Sequence, residues 1–397
     1  MAETQITKDE QRVDSLKEIT HDRAPRRIDS FKEIAHNYDQ RVIDRMYVKF
    51  AHYFRSTLDS KKPTVLGLEN LLSIPQDTSA VLVSTHKSHL DYVVAPWVLK
   101  EYQILERERP LAIAAGDNLF KRIAKWNFDK ILRTCGAYKI IRNPQPGTRI
   151  ATTGTQLNYT TERMVAADWF LLFPECARSY TGEVMPFDPA ALGIFQRAEK
   201  RSERKVVYVP TVIGYERVPE DRWFTAFAKY KTAASCFEKA LYYALDWPLI
   251  MAQQYIGIWN KPIGQIVIRF GTPLTSSEGD KQLNKEDFAK RMENACKSLV
   301  PAFSTNILAT ALLQSESPAQ LPYKIAEVYD HLNQRGVIAN PEKDHILRAA
   351  RFLSAPLRNF FHIGDAYGIG RMDIIEYYRN CTAHHFKNTK CSLQNKP

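Results

Sequence analysis

Paired cysteines are missing from this sequence. Its six cysteines, Cys135, Cys176, Cys236, Cys296, Cys381 and Cys391, are widely scattered and none forms a CxxC pair. That argues against a zinc ribbon or a disulfide framework and fits a reducing compartment. An apolar leader is missing too: Met1 to Asp22 is polar, so no secretory signal is expected. Nor is there an unbroken run of the about 20 apolar residues that a spanning helix needs. The nearest candidate, Ala240 to Trp259, is interrupted by Asp246, Pro248, Gln253 and Gln254. It can be read as a spanning helix, as an interfacial or acyl-chain-binding segment, or as a buried helical hairpin. Its aromatic residues favour the interface. Acidic charge is in deficit, with 44 Asp and Glu against 55 Lys and Arg, a net charge of +11. Such an excess points to an anionic partner: a phosphorylated substrate, an anionic membrane surface or nucleic acid. No basic helix with interleaved aromatics is present, which argues against nucleic acid.

What is present can build a core. Apolar residues make up 44% of the 397 positions and charged residues 25%, ordinary values for a globular chain. The first segment, residues 1–62, reads as helical and holds a short duplication: Arg12 to Ile19 recurs as Arg27 to Ile34, each copy a short amphipathic helix. Residues 63–300 alternate. Ala80 to Thr85, Leu111 to Ala114, Trp169 to Phe173, Lys205 to Ile213 and Gly264 to Phe270 are apolar, β-branched runs expected to be buried strands. His89 to Tyr102 and Gly147 to Ala167 read as helices between them. Strands separated by helices imply an α/β layered sheet flanked by helices, with sites at the loops beyond strand ends. Residues 301–397 lose the strand signal. Asn306 to Leu313, Ile325 to Asn333, His345 to Leu353 and Met372 to Tyr378 read as helices of a C-terminal extension.

Four blocks carry candidate chemistry. The first, His86-Lys87-Ser88-His89-Leu90-Asp91, directly follows a strand. A histidine in the turn and a carboxylate at the start of the next helix can meet. The carboxylate then fixes the ring's tautomer, and the other ring nitrogen can take a proton from a hydroxyl. The same spacing also describes a capping box from Ser88 to Asp91, and His86, His89 and Asp91 could be metal ligands, although no matching ligand cluster occurs elsewhere. The second block, Gly136 to Arg142, is a short strand ending in Arg142 with Lys139 nearby. A guanidinium there suits a phosphate. The third, Phe173 to Gly182, leads from a strand into a loop with Glu175, Arg178 and Ser179. Arg178 and Ser179 could hold a second face of the phosphate, and the small Cys176 and Ala177 would let a ligand approach the backbone. The fourth, Val209 to Glu216, is an apolar strand containing Pro210. Proline places it at an edge or bulge, and its functional use would be to line an acyl groove.

Taken together and in this order, the blocks resemble the glycerolipid acyltransferase family. Its pattern is His-x4-Asp, then Gly-x-x-x-aliphatic-x-Arg, then a Pro-Glu-Gly-Thr/Gly-Arg-Ser loop, then a Val-Pro strand. Ile113 to Asn118, Ile213 to Glu216 and Tyr377 to Asn380 look like segments of the glycerol-3-phosphate acyltransferase branch. The resemblance runs from about Pro63 to Phe386. It implies transfer of a fatty acyl group from acyl-CoA or acyl carrier protein to the sn-1 hydroxyl of glycerol 3-phosphate. His86 would be the general base and Asp91 its orienting partner. Arg142, Arg178 and Ser179, with Lys139 nearby, would bind the phosphate, Glu175 would organise the acceptor site, and Pro210 would shape the acyl side. Neither a metal nor a cofactor beyond the thioester is implied. Dihydroxyacetone phosphate or a lysophospholipid could replace the acceptor, and a non-catalytic lipid-binding protein on the same scaffold is the reading from another class. Residues 63–300 would be the acyltransferase domain, acting at the cytoplasmic face of a membrane. Cys176 and Ala177 stand where the family has Gly and then Thr or Gly, which puts the geometry of that loop in question but not its charges.

Overall fold

A computed structural model describes residues 34–104, 111–120, 128–141, 147–232, 262–279, 281–339, 345–354 and 372–386. The two duplicated N-terminal helices, apart from Ile34, and the Ala240 to Trp259 stretch lie outside the described residues.

The described chain runs α1 (Gln40–Thr57), β1 (Thr64–Leu66), α2 (Leu68–Leu72), β2 (Ser79–Ser84), α3 (Asp91–Glu101), β3 (Leu111–Gly116), α4 (Phe128–Thr134), β4 (Ala137–Ile140), α5 (Arg149–Val165), β5 (Trp169–Leu172), α6 (Pro189–Ser202), β6 (Val206–Tyr215) and α7 (Asp221–Thr232). It continues with β7 (Ile266–Phe270), the two-residue strands β8 (Ser277–Glu278) and β9 (Lys281–Gln282), α8 (Lys285–Leu299), α9 (Ser304–Gln314), α10 (Leu321–Gln334), α11 (His345–Ser354) and α12 (Met372–Thr382). The large sheet has the order β1-β7-β6-β2-β5-β3-β4. Strands β2 to β6 are mutually parallel, and β7 runs antiparallel to β6.

The strands read as unbroken apolar runs because both faces of the sheet are covered. Alternation along β2 shows this directly. Ala80 and Leu82 join a core with Tyr53 and Phe54 of α1, Val94 and Val98 of α3, Phe224 of α7, Leu308 of α9 and Tyr377 and Tyr378 of α12. Val81 and Val83 join a second core with Leu157 of α5, Leu192 and Phe195 of α6 and Phe288 and Met292 of α8. The C-terminal helices α9 and α12 therefore pack into the same core as the sheet. Short-range signals place the helix starts: Asp188 caps α6 ahead of Pro189 by accepting from Ala190 N, and Asn284 caps α8 by accepting from Asp287 N at 2.8 Å.

One sequence expectation holds in half. Pro210 is not at an edge; it lies in β6, between β7 and β2, opposite Val83. Its carbonyl accepts Gly271 N at 2.8 Å, so its missing N–H faces the β7 side as well. There the register breaks: Thr211 pairs with Phe270, but Tyr208 pairs with Leu274, so the facing segment carries one extra residue, a bulge. Proline is tolerated in this interior strand beside that irregularity.

Candidate active site

The first block of the sequence becomes a turn at the C-terminal end of β2, the middle strand, leading into α3. His86 Nδ1 is 2.8 Å from Asp91 Oδ2, with the histidine 3% exposed and the aspartate fully buried. Asp91 is the first residue of α3, so its carboxylate also collects the free N–H groups ahead of the helix. Lys87 N donates to Oδ2 at 2.7 Å and Ser88 N at 3.0 Å. The capping and the dyad readings are therefore both realised by one carboxylate. Tyr215 of β6 donates its hydroxyl to the other oxygen, Oδ1, at 2.6 Å. Burial pushes the Asp91 carboxyl up to about 7, against the hydrogen bonds from Ser88, Tyr215 and Lys87, which favour its charged form. An acceptor at Nδ1 holds the imidazole proton there and leaves Nε2, also buried, as the basic nitrogen. The ring is stacked on Phe173 with centroids 4.3 Å apart and edge-on to Tyr92 at 5.1 Å.

The loop after β5 supplies the opposite wall. Glu175 is buried and bridges two segments: Oε1 accepts His86 N and Oε2 accepts Met185 N, both at 3.0 Å. Its carboxyl is also raised to about 7 by burial, with Lys87 the main opposing charge. Glu175 thus holds the backbone that carries His86. Ser179 N donates to His86 O at 3.3 Å, which ties the loop to the turn. Arg178 lies over the Trp223 ring at 6.0 Å. Arg178 Nε and Ser179 Oγ are buried with no hydrogen-bond partner among the described residues. Buried polar atoms normally find partners, so two orphaned ones side by side mark where an oxygen-rich ligand would fit.

Cys176 answers the question its sequence raised. Its φ is +57°, in the left-handed region. The loop keeps the conformation that glycine adopts without cost, and cysteine adopts it under strain.

The remaining sequence candidates are dispersed. Arg142 lies outside the described residues. Lys139 sits on β4, three strand spacings from β2 and so about 14 Å away, with its Nζ over the Phe120 ring at 5.4 Å. Pro210 flanks Gly271 together with Leu299, on the α8 side of the sheet. The structure gathers His86, Asp91, Glu175, Arg178 and Ser179 and does not bring Lys139 or Pro210 to them. His89 turns away from Asp91 to Glu220, with Nδ1 3.0 Å from Oε1. Among the described residues no group of His, Cys, Asp or Glu could hold a metal ion.

Several residues of the site gave no sequence signal. Glu220 is buried and also accepts from Ser88 Oγ at 2.7 Å and His89 N at 3.0 Å. Although burial raises its carboxyl, the His89 and Ser88 contacts prevail and its pKa is lowered. Lys87 is buried, a rare state for lysine, and donates to Gly182 O at 2.6 Å and Glu183 O at 3.1 Å. The block Tyr377 to Asn380 closes the loop from the other side: Asn380 Nδ2 donates to Thr181 O at 3.0 Å, and Gly182, at φ +88°, lies so close that a Cβ would meet Tyr377 O at 2.0 Å. Glycine at position 182 is required for that approach.

The sequence around this site is similar to that of known proteins. A family model described as acyltransferase matches residues 62–214. A glycerol-3-phosphate acyltransferase of Pseudomonas fluorescens (strain Pf0-1) is 26% identical over 277 residues, 69% of this chain and 28% of the relative. One from Pseudomonas paraeruginosa (strain PA7) is 28% identical over 210 residues, 52% of this chain and 22% of the relative. The chain thus spans only about a quarter of the length of these curated relatives. Among solved structures, the 1-acyl-sn-glycerophosphate acyltransferase PlsC from Thermotoga maritima matches at a TM-score of 0.33 and 14% identity, covering 65% of this chain and 82% of that one. The acyltransferase match begins just before β1 and ends inside β6, so the part of the chain that is similar to that family takes in both the His86–Asp91 turn and the loop after β5.

Proposed function

We propose that the protein transfers a fatty acyl group from a thioester, acyl-CoA or acyl carrier protein, to the sn-1 hydroxyl of glycerol 3-phosphate, an entry step of phospholipid synthesis. The observation that carries this reading is the buried His86–Asp91 pair beside the unpartnered Arg178 Nε and Ser179 Oγ. The curated relatives named for that reaction support it. Arg178 and Ser179 bind the acceptor's phosphate and place its hydroxyl at His86 Nε2. The hydroxyl oxygen attacks the thioester carbonyl as Nε2 takes its proton. The tetrahedral intermediate then collapses, the C–S bond breaks, and the imidazolium returns the proton to the leaving thiolate. Asp91 stabilises the imidazolium between the two steps. Alignment of the two substrates can supply up to about 7–11 kcal/mol of the barrier reduction. This chemistry calls for no metal and no cofactor beyond the thioester.

The excess of positive charge supports work at an anionic membrane face. No helix among the described residues is long and apolar enough to cross a membrane, which leaves peripheral attachment as the proposed mode. Co-sedimentation with anionic liposomes at low salt tests it, and its absence would refute it. For the reaction, thiol release from palmitoyl-CoA is measured with and without glycerol 3-phosphate. Release that needs the acceptor and disappears in His86→Ala is the expected result. Release that is absent, or indifferent to His86, refutes the proposal.

A further inference from the structure

A cavity of about 510 Å³ takes no part in the mechanism above. It opens on the α5–α6 side of the sheet, at the C-terminal ends of β3, β4 and β5. Ile140, Leu172 and Phe173 contribute an apolar floor. Its rim carries Arg149 of α5, Arg197 and Lys200 of α6 and Lys285 of α8. Asp188 is the one carboxylate among the lining residues, and both its oxygens are engaged: Oδ1 accepts Ala190 N at 2.8 Å and Oδ2 lies 3.5 Å from Cys176 Sγ. Lys285 has an exposed ion pair with Glu286 at 3.5 Å, a kind of contact worth little in water. Arg149, Arg197 and Lys200 make no ion pair among the described residues. The stem of Lys285 lies beside Gly193 of α6, and Gln196 Nε2 ties the segment after β9 to the same helix by donating to Leu283 O at 3.0 Å. Cations on a convex surface are ordinary; gathered around an indentation with an apolar floor, they raise the local potential for an anion.

The position of the cavity selects the ligand. Phe173 is its wall toward the site, and the other side of that ring system stacks on His86. Arg178 is not among the lining residues; it lies by Trp223 of α7, in the helical layer on the opposite face of the sheet. Two cationic sites thus flank the base. The volume falls within the about 300–1,000 Å³ of sites that enclose a cofactor-sized ligand and is generous for a three-carbon phosphate. We propose that this cavity holds the phosphate-bearing carrier of the donor, a nucleotide-type thiol of the coenzyme A class. Its phosphates lie against Arg149 and Arg197, whose guanidinium groups match phosphate oxygens in pairs, and against the ammonium groups of Lys200 and Lys285. Its thiol end passes Phe173 toward His86. This inference rests on the acyl-transfer reading for its context.

Coenzyme A with a free thiol is the probe, since it binds without turnover. Its affinity for the full chain is measured by titration calorimetry, for the wild type and for the double variant Arg197→Glu/Lys200→Glu. Both side chains are exposed, and an unchanged Tm verifies the fold. The expected result is at least tenfold weaker binding in the variant, a steep loss of wild-type affinity with salt, and an unchanged KM for glycerol 3-phosphate. Equal affinity in both proteins overturns the proposal, as does a wild type that ignores coenzyme A while accepting acyl groups from acyl carrier protein. A raised KM for glycerol 3-phosphate with donor binding intact would make the cavity the acceptor's and overturn it equally. Failure of the acyl-transfer reading shows elsewhere, as thiol release that is absent or indifferent to His86, and the binding arm does not depend on it.

Discussion

Removing the Tyr215 hydroxyl should move the pH dependence of catalysis without abolishing it. Asp91 must be ionised to hold the imidazole and stabilise its protonated form, and burial places its carboxyl at about 7. The rate in wild type should therefore climb as pH rises through about 7. Tyr215 gives the ionised carboxylate a hydrogen bond of 2.6 Å deep in the core. A hydrogen bond to a charged group is worth about 1.5–3 kcal/mol, and each 1.36 kcal/mol is one pKa unit. Tyr215→Phe removes the donor and keeps the ring, so the charged form of Asp91 loses that support and its pKa rises by about 1–2 units. The rising limb should move to correspondingly higher pH. At pH 7 kcat/KM falls by roughly 5- to 50-fold, and the variant approaches wild type on the alkaline side. The assay is acceptor-dependent thiol release, with kcat/KM measured across the pH range. A limb that stays in place, or one that moves toward acid, refutes the assignment of Asp91 as the ionised partner. A uniform loss at every pH would assign Tyr215 to packing instead.

Three further outcomes follow from the loop after β5. Cys176→Gly should stabilise the protein by about 1 kcal/mol, read as a higher Tm, because the left-handed φ of +57° costs cysteine what it does not cost glycine. Gly182→Ala should do the reverse: its Cβ would meet the Tyr377 carbonyl at 2.0 Å, so the variant should show a lowered Tm together with lower kcat. Arg178→Ala should raise KM for glycerol 3-phosphate by at least tenfold, about 1.4 kcal/mol, while KM for the acyl donor stays within about twofold. Equal changes in both KM values would remove Arg178 from the acceptor site.

The sheet was legible because its strands are buried on both faces, which writes them into the chain as continuous apolar runs. Each expected strand appears, with ends shifted by two residues at most among the runs Ala80 to Thr85, Leu111 to Ala114, Trp169 to Phe173, Lys205 to Ile213 and Gly264 to Phe270. Strand β1 escaped, since Thr64–Leu66 is three residues long and carries no period. The His86–Asp91 pair was legible because both residues belong to one turn. The contacts of Tyr215 and Glu220 with the turn were not. They cross 124 and 132 residues of chain; Tyr215 stood in the fourth block with no sign of its partner, and Glu220 lay in a plain loop. Pro210 was half legible. A proline marks an edge or a bulge, and only the strand order shows which: β6 is interior, and the pairing facing Pro210 slips by one residue. Lys139 and Arg178 looked like partners because each lies near the end of a strand, but strand order puts β3 between β4, which carries Lys139, and β5, which leads to Arg178.

The contact between the loop at 181–182 and α12 has a consequence for biosynthesis. Asn380 reaches Thr181 across 199 residues, and the Tyr378 hydroxyl reaches Asp221 across 157. A ribosome completes the sheet long before it makes these partners. During that interval the loop that carries Arg178 has no lid behind it, and Tyr377 and Tyr378, both buried in the finished protein, do not yet cover the sheet. Contacts this distant in sequence form late and slowly. The last α-helix of the described residues to emerge is therefore the one that closes over this loop, and a nascent chain halted before residue 372 would hold His86 and Asp91 in sequence but not under their roof.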